Sequence, residues 1–194
     1  MNSPASSRLG AMVPTGLAIL LVASAAFAQA PPMSMAHAGT AMPSASRFEI
    51  KFLEGMIDHH AMAVHMAGLL HVQAVHAELG SLGDSIAATQ TAEIKQMQAW
   101  LQLWYGRAHE PAPMMAGMGS LETLKGAAFE KEFMRMMIPH HAMAVRQARE
   151  CLRRGRHPEL RHLCRNIVRS QQQEIGTMKG WLCRWYRDCA PAGK

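Results

Sequence analysis

Apolar residues recur every three to four positions from Phe48 to about Val75, and again from about Leu79 to Tyr105, which is the period of an amphipathic helix. The same period returns at about Leu121 to Arg154 and at Pro158 to Arg187, with Pro158 suited to a helix's first turn. Strand-like alternation is absent. Between the two pairs, Arg107 to Ser120 carries Pro111, Pro113, Gly117 and Gly119 and reads as a linker. Four helices joined by short turns predict an all-α, antiparallel four-helix bundle built from two tandem hairpins. A swapped or intertwined dimer of hairpins is the competing architecture.

The hairpins are copies of one another. Phe48 to Tyr105 aligns on Phe129 to Tyr186 without insertion or deletion, and MIDHHAMAV in the first copy meets MIPHHAMAV in the second. A glutamate, a methionine and WLxxWY follow at the same distance in both. Duplication builds a pseudo-symmetric object, so His140 and His141 are placed to do whatever His59 and His60 do.

Residues 1–28 have the form of a signal peptide: Arg8, then LAILLVASAAF, then the small-x-small end Ala26, Phe27, Ala28. The mature chain is expected to begin near Gln29, in the periplasm or outside the cell. An uncleaved anchor is the alternative, although the run barely reaches the roughly 20 residues a spanning helix needs. Residues 29–46 form a Pro-, Ala- and Ser-rich tail with Met33, Met35, His37 and Met42, expected to be disordered without a ligand. The bundle domain is expected over 47–188, with repeat one at 48–106, the linker at 107–120 and repeat two at 129–187.

Charge changes this picture little. Lys and Arg exceed Asp and Glu by 20 to 14, but the excess lies mainly between Arg146 and Arg187, along helical faces and with no nucleic-acid motif. A solvated surface is the reading, and no nucleic acid partner is expected. The four cysteines all lie in the second half, where the first has Leu70, Gly83, Gln102 and Ala108. Cys151 and Cys164 flank the turn near His157 about equally and should face one another, so a disulfide is expected there, with Cys183 and Cys189 as a second pair. Free thiols that bind copper are the alternative.

Methionine is the compositional signal: 17 Met and 11 His stand against 5 Phe and 2 Tyr. Met is ordinarily a minor filler of cores. On a helical projection Phe52, Met56, Ala63, Ala67 and Leu70 form one stripe flanked by His59 and His60, and on the next helix Gln90 and Glu93 interrupt the apolar stripe Leu79, Leu82, Ile86, Met97, Trp100 and Trp104. With the turn near His76, antiparallel packing sets Glu93 level with His60, Met97 with Met56 and Trp100 with Phe52. Met137, His140, His141, Gln171, Glu174 and Met178 repeat the arrangement. Polar side chains from facing helices gathered at one level are how bundles build metal sites.

His59, Met62, His65 and Met66 are the first-choice ligands of the leading repeat, and Met143 is what survives of the Met62, His65 and Met66 set in the other, where Arg146 and Gln147 take two places. The interior set is His60, Glu93 and Met97, mirrored by His141, Glu174 and Met178, with His140 beside them. Thioether sulfur favours Cu(I) and imidazole accepts both copper states, so copper is the expected ion, with silver as a soft mimic. Met33, Met35, His37 and Met42 would make a copper-capturing arm, and the linker adds Met114, Met115 and Met118. The competing view is that Glu93 and Glu174 merely pair with His60 and His141 in a satisfied polar layer of a structural or interaction bundle. Enzymatic readings fare worse. A di-iron centre needs two Glu-x-x-His elements, and only Glu159 to His162 provides one, its counterpart being Glu78 to Ser81; no nucleophile accompanies both histidine pairs.

The segments FMRMMIPHHAMAV, HPEL and IVRSQQQEIGTMKGWL resemble the bacterial domain-of-unknown-function family 305, over about Phe48 to Tyr186. The resemblance implies a ferritin-like four-helix fold, frequent export and, for some members, periplasmic copper binding in support of copper resistance. Carried over, the motif falls on His59, His60, Met66, Gln90, Glu93 and Met97, and on His140, His141, Gln171, Glu174 and Met178. Two departures stand out: Ala61-Met62 and Ala142-Met143 replace the usual Gln-Gly, and Gln147 stands where a methionine is common. The expectation is an exported protein that sequesters or hands over copper without catalysis, its partners being copper ions and other envelope copper-handling proteins.

Overall fold

The computed structural model describes residues 44–112 and 119–189. The expected signal peptide, the arm residues Met33, Met35, His37 and Met42, and Met114, Met115 and Met118 of the linker lie outside them. Helix α1 spans Ser44–Gly68, the short α2 Leu70–Gln73, α3 Ala77–Tyr105, the short α4 Gly119–Thr123, α5 Gly126–Arg154 and α6 Pro158–Tyr186. No strand occurs among the described residues.

Three boundaries differ from the sequence reading. Helix α1 begins at Ser44, inside the expected tail, which puts Glu49, 1% exposed, in its second turn. The first long helix stops at Gly68 and resumes as α2, whereas α5 runs unbroken to Arg154 with Arg149 in the matching place. Glycine in a helix loses more backbone entropy than any other residue, so the break falls there. The helix expected from Leu121 is two, because Gly126 takes φ +59°, a left-handed conformation that turns the chain between α4 and α5.

Helix α1 packs on α3 and α5 on α6, and the two hairpins meet through α1 and α5. Two apolar clusters result. One joins Leu53, Met56, Ile57, Met97 and Leu101 to Ala148, Leu160 and Ile167; the other joins Met66, Leu70, Leu79 and Ile86 to Leu121, Phe129, Phe133 and Met137. Each takes residues from both hairpins, so neither hairpin has a core of its own.

A repeated latch crosses between the hairpins. The Glu49 carboxylate of α1 accepts the backbone N–H groups of Arg156 and His157 at 2.6 and 3.1 Å, the His157 Nδ1–H at 3.0 Å and the Tyr105 hydroxyl at 2.5 Å. Glu130 of α5 does the same with Val75, His76 and Tyr186 at the other end. Each carboxylate sits at the start of a helix, α6 or α3, whose N-terminal dipole favours it. His157 stacks on Trp104 and His76 on Trp185, with ring centroids 3.8 and 3.9 Å apart.

The disulfides are Cys151–Cys164 and Cys183–Cys189, as expected, which leaves no free thiol to ligate copper. In the first hairpin the place of the former is taken by Leu70 lying over Gly83, where a Cβ would come within 2.4 Å of Leu70 Cδ1.

Candidate metal centre

Between the two apolar clusters lies the polar layer. His60, His141, Gln90 and Gln171 are buried, as are His59 and His140, while Glu93 and Glu174 reach the margin. The helical period of α1 and α5 aims His59 and His140 at the partner hairpin and His60 and His141 at the second helix of their own. The level match worked out from the hairpin is met: His60 Nε2–H donates to Glu93 Oε2 at 2.7 Å. His141 Nε2 lies 2.6 Å from Glu174 Oε2, off the line a hydrogen bond needs.

His59 and His140 meet at the pseudo-twofold axis, their rings stacked with centroids 3.6 Å apart. The pair is not symmetric. His59 Nε2–H donates to the His140 carbonyl at 3.1 Å, whereas neither ring nitrogen of His140 has a partner among the described residues. Burial, then the neighbouring His60, pull the His59 pKa down to about 4; burial, then His59, pull His140 down to about 2. Both rings are therefore neutral at neutral pH, with no positive charge to repel a cation.

The tautomers matter for metal chemistry. Where Nε2 carries the proton donated to a carboxylate or carbonyl, Nδ1 is left as a bare lone pair, which is how outer partners prepare histidine ligands. Nδ1 of His59 and of His60 is in that state, buried and without a partner among the described residues. An orphaned buried polar atom costs about 1–3 kcal/mol. A layer that existed only for packing would not be expected to leave several.

The layer alone does not assemble a multidentate site, since no three His, Cys, Asp or Glu side chains of the described residues converge on one point. Thioethers are distributed unevenly around it. Met66, Met134, Met137 and Met178 are buried in the cluster toward α4, with Met62 and Met136 partly buried against it, while the other cluster holds only Met56 and Met97. Met97 and Met178, expected as interior ligands, are core residues with no exposed surface. Met66 is likewise 1% exposed, whereas Met62 is half-buried and Met143 is exposed. His65 lies at the surface, 3.7 Å from Glu122 of α4. Glu159 and His162, the single Glu-x-x-His, are both exposed.

Sequence reasoning missed two sets of residues. Met134 and Met136 sit where the first copy has Leu53 and Gly55, and a comparison of the copies for unshared thioethers would have found them. Glu49 and Glu130 occupy matched positions, but a lone glutamate near a helix start gives no sign of the donors it meets from the other hairpin.

Three kinds of similarity bear on this arrangement. The chain is similar to the solved structures of CopM in its Cu(I)-bound, Ag-bound and Cu(II)-bound forms, at 38% identity over 71% of this chain and 97% of that one, with a TM-score of 0.66 for the Cu(I) form. It is similar to a DUF305 protein of Streptomyces coelicolor, provisionally classed as secreted (29% identity, 76% and 96% coverage, TM-score 0.66). A DUF305 fragment from Deinococcus radiodurans matches at 33% identity, 73% and 99% coverage, with a TM-score of 0.65. Among curated proteins, uncharacterized protein L153 of Acanthamoeba polyphaga mimivirus is 36% identical over 53 residues; the match spans 27% of this chain and only 35% of that protein. No helix among the described residues is long and apolar enough to cross a membrane. The family model described as a domain of unknown function, DUF305, matches residues 49–182, from the first latch glutamate to the end of the second core, and the chain belongs to that family.

Proposed function

We propose that this protein binds copper as cargo, holding or handing over the ion through imidazole and thioether donors, without catalysis. The observation that carries the reading is the pair of buried imidazoles, His59 and His60, each with Nε2 engaged and Nδ1 open, beside a methionine-rich half of the core. Neutral nitrogen and sulfur donors suit Cu(I), and they spare the interior the burial of several anionic ligands. Likeness to CopM, solved with copper and silver, supports the same ions here.

Met62 is one helical turn from His59 and half-buried, so it is the thioether through which an ion from solvent would reach the layer, with Met66 a further turn along and Met136 offered from α5. His65 is the outermost donor. His140 has neither ring nitrogen engaged, which leaves one lone pair open, and Met143 has an exposed sulfur, which gives the second repeat a weaker version of the entrance. The signal-like segment at 1–28 supports a place in the periplasm or outside the cell, with other copper-handling proteins of the envelope as donors or recipients.

The test is a Cu(I) titration of the purified mature chain against a chromophoric chelator. Met62→Leu with Met136→Leu should weaken uptake while helicity is unchanged, and X-ray absorption should report both sulfur and nitrogen neighbours. Equal uptake by that variant would remove the thioethers from the proposal. The alternative, a polar layer serving only to fix pairing, is favoured by the close His60–Glu93 and His141–Glu174 contacts. It requires that protein from copper-supplemented cells contain no copper.

A further inference from the structure

The repeat offset relates His59 to His140, 81 residues on. It also relates two grooves between α1 and α5, and the grooves have diverged. In one, Phe129, Phe133 and Met136 of α5 share a cluster with Leu121 of α4, which is fully buried there, and the Gln73 amide of α2 donates to the Leu124 and Leu121 carbonyls at 2.6 and 3.1 Å. In the other, Phe48 and the largely buried Phe52 keep the aromatic floor, and no element in the place of α4 lies over it among the described residues. A groove of about 500 Å³ remains, lined by Arg47, Phe48, Lys51, Phe52, Gly55 and Arg154 among others.

The substitutions between the two follow a pattern. Arg47, Lys51 and Arg154 stand where the covered groove has Ala128, Glu132 and Gln73, and Gly55 stands where it has Met136. At these positions the open groove carries three cations where the covered one has none, and it lacks the large side chain. A Cβ at Gly55 would meet nothing within 4 Å. Glu150 pairs with Arg153 and Arg154 at one rim, so Arg47 and Lys51 are the cations without an opposing carboxylate in the groove. The Arg154 guanidinium lies over the Phe48 ring, 4.3 Å from its centroid, and continues the flat floor.

We propose that the open groove is a docking site for an acidic segment of a partner protein that lays a leucine-like side chain against Phe48 and Phe52, as Leu121 is buried in the cluster of Phe129 and Phe133. Helix α4 supplies the template: one short turn, one buried apolar residue and an adjacent glutamate. Charge decides against the chain's own preceding residues as the occupant, because 29–43 contain no Asp or Glu to answer the cations. This inference does not rest on the copper reading.

The probe is a fluorescein-labelled peptide with the α4 sequence and the following Leu124 between pairs of glutamates, Glu-Glu-Gly-Ser-Leu-Glu-Thr-Leu-Glu-Glu, titrated with the intact mature chain by fluorescence anisotropy. Saturable, salt-sensitive binding is expected. Arg47→Gln with Lys51→Gln should weaken it about tenfold, the combined effect of two partly exposed charge pairs. Gly55→Met should abolish it by filling the groove, with unchanged circular dichroism. Absence of binding to the intact chain overturns the proposal, whether the groove stays idle or is covered by residues of the chain itself. Equal binding to the variants, or equal binding of a peptide with serine in place of both leucines, overturns it as well.

Discussion

Replacing Glu49 by glutamine tests whether the hairpins are held together by the crossed latches. The carboxylate takes two backbone N–H donors on Oε1 and the Tyr105 hydroxyl and His157 Nδ1–H on Oε2, all at 1% exposure. Glutamine keeps one carbonyl oxygen. Hydrogen bonds to a charged group contribute about 1.5–3 kcal/mol and neutral ones about 0.5–1.5, so the two backbone bonds weaken by about 1 kcal/mol each. On the other side the new NH₂ faces two donors, and reversing or losing those bonds brings the total to about 3 kcal/mol. Glu130→Gln should cost the same at the opposite end, and distant sites add, so the double variant loses about 6 kcal/mol, most of a small domain's stability. Urea unfolding followed by circular dichroism, with fluorescence of Trp104 and Trp185 as local reporters, measures each step. The pH dependence gives a second check. Burial by itself pushes the Glu49 carboxyl up, but the bonds from Tyr105 and from His157 and Arg156 outweigh it and hold the pKa below the usual 4.5; Glu130 is held down similarly by His76, Tyr186 and Val75. A folded-state pKa below the unfolded one means stability that is fully present above about pH 4.5 and is lost as the pH falls through the lower folded values. The parent should lose stability in that acid range and the double variant should show a flatter slope. A Glu49→Gln protein within about 0.5 kcal/mol of the parent, with the parent's acid slope, would refute the latch.

Other consequences can be measured on the same material. Helix α6 ends with Arg187 at φ +57°, where α3 ends with Gly106 at φ +61°, so Arg187→Gly should raise stability by about 1 kcal/mol in urea unfolding. Cys151→Ser with Cys164→Ser opens a loop of sequence separation 13 and should cost about 3 kcal/mol without changing copper stoichiometry; a drop in bound copper would return those sulfurs to the ligand set. Leu121→Ala should cost about 2–5 kcal/mol, because it empties a fully buried site and uncovers the second groove.

The fold was legible in the sequence because a helical hairpin is determined locally. The 3.6-residue period, the helix start at Pro158, the Pro- and Gly-bearing linker from Arg107 and the unbroken 81-residue repeat each follow from short stretches of chain, and the antiparallel count then fixed His60 against Glu93. What was not legible involves the other hairpin. The stacking of His59 on His140 and the donors around Glu49 depend on how α1 meets α5, which no local pattern states. For the same reason the projection could name Met62 and Met66 as neighbours on one helix but could not separate them by exposure, and the structure makes one half-buried and the other core. The Ser44 start and the Gly126 break were missed because tertiary burial and a left-handed glycine override composition.

Comparing the two halves separates what the duplication preserved from what came later, and the division bears on function. Preserved are the His–Glu pairs inside each hairpin and, between the hairpins, the stacked His59 and His140 and the latches, which bind both copies under the same constraint. Unshared are the thioethers Met66, Met134 and Met136 and the Cys183–Cys189 bridge on one side of the layer, and the Cys151–Cys164 bridge and the cation-lined groove on the other. Had the histidine layer been only a device for register, the core around it could have drifted to any apolar residue, with leucine the commonest. Instead one side holds three thioethers that the matching positions of the other lack. A soft ion needs side chains that can turn toward it, and Met has three rotatable bonds where Leu has two. The half of the bundle toward α4 is therefore where copper should enter, and loss of binding on Met62→Leu with Met136→Leu, set against retention on Met143→Leu, would give that asymmetry its direct measure.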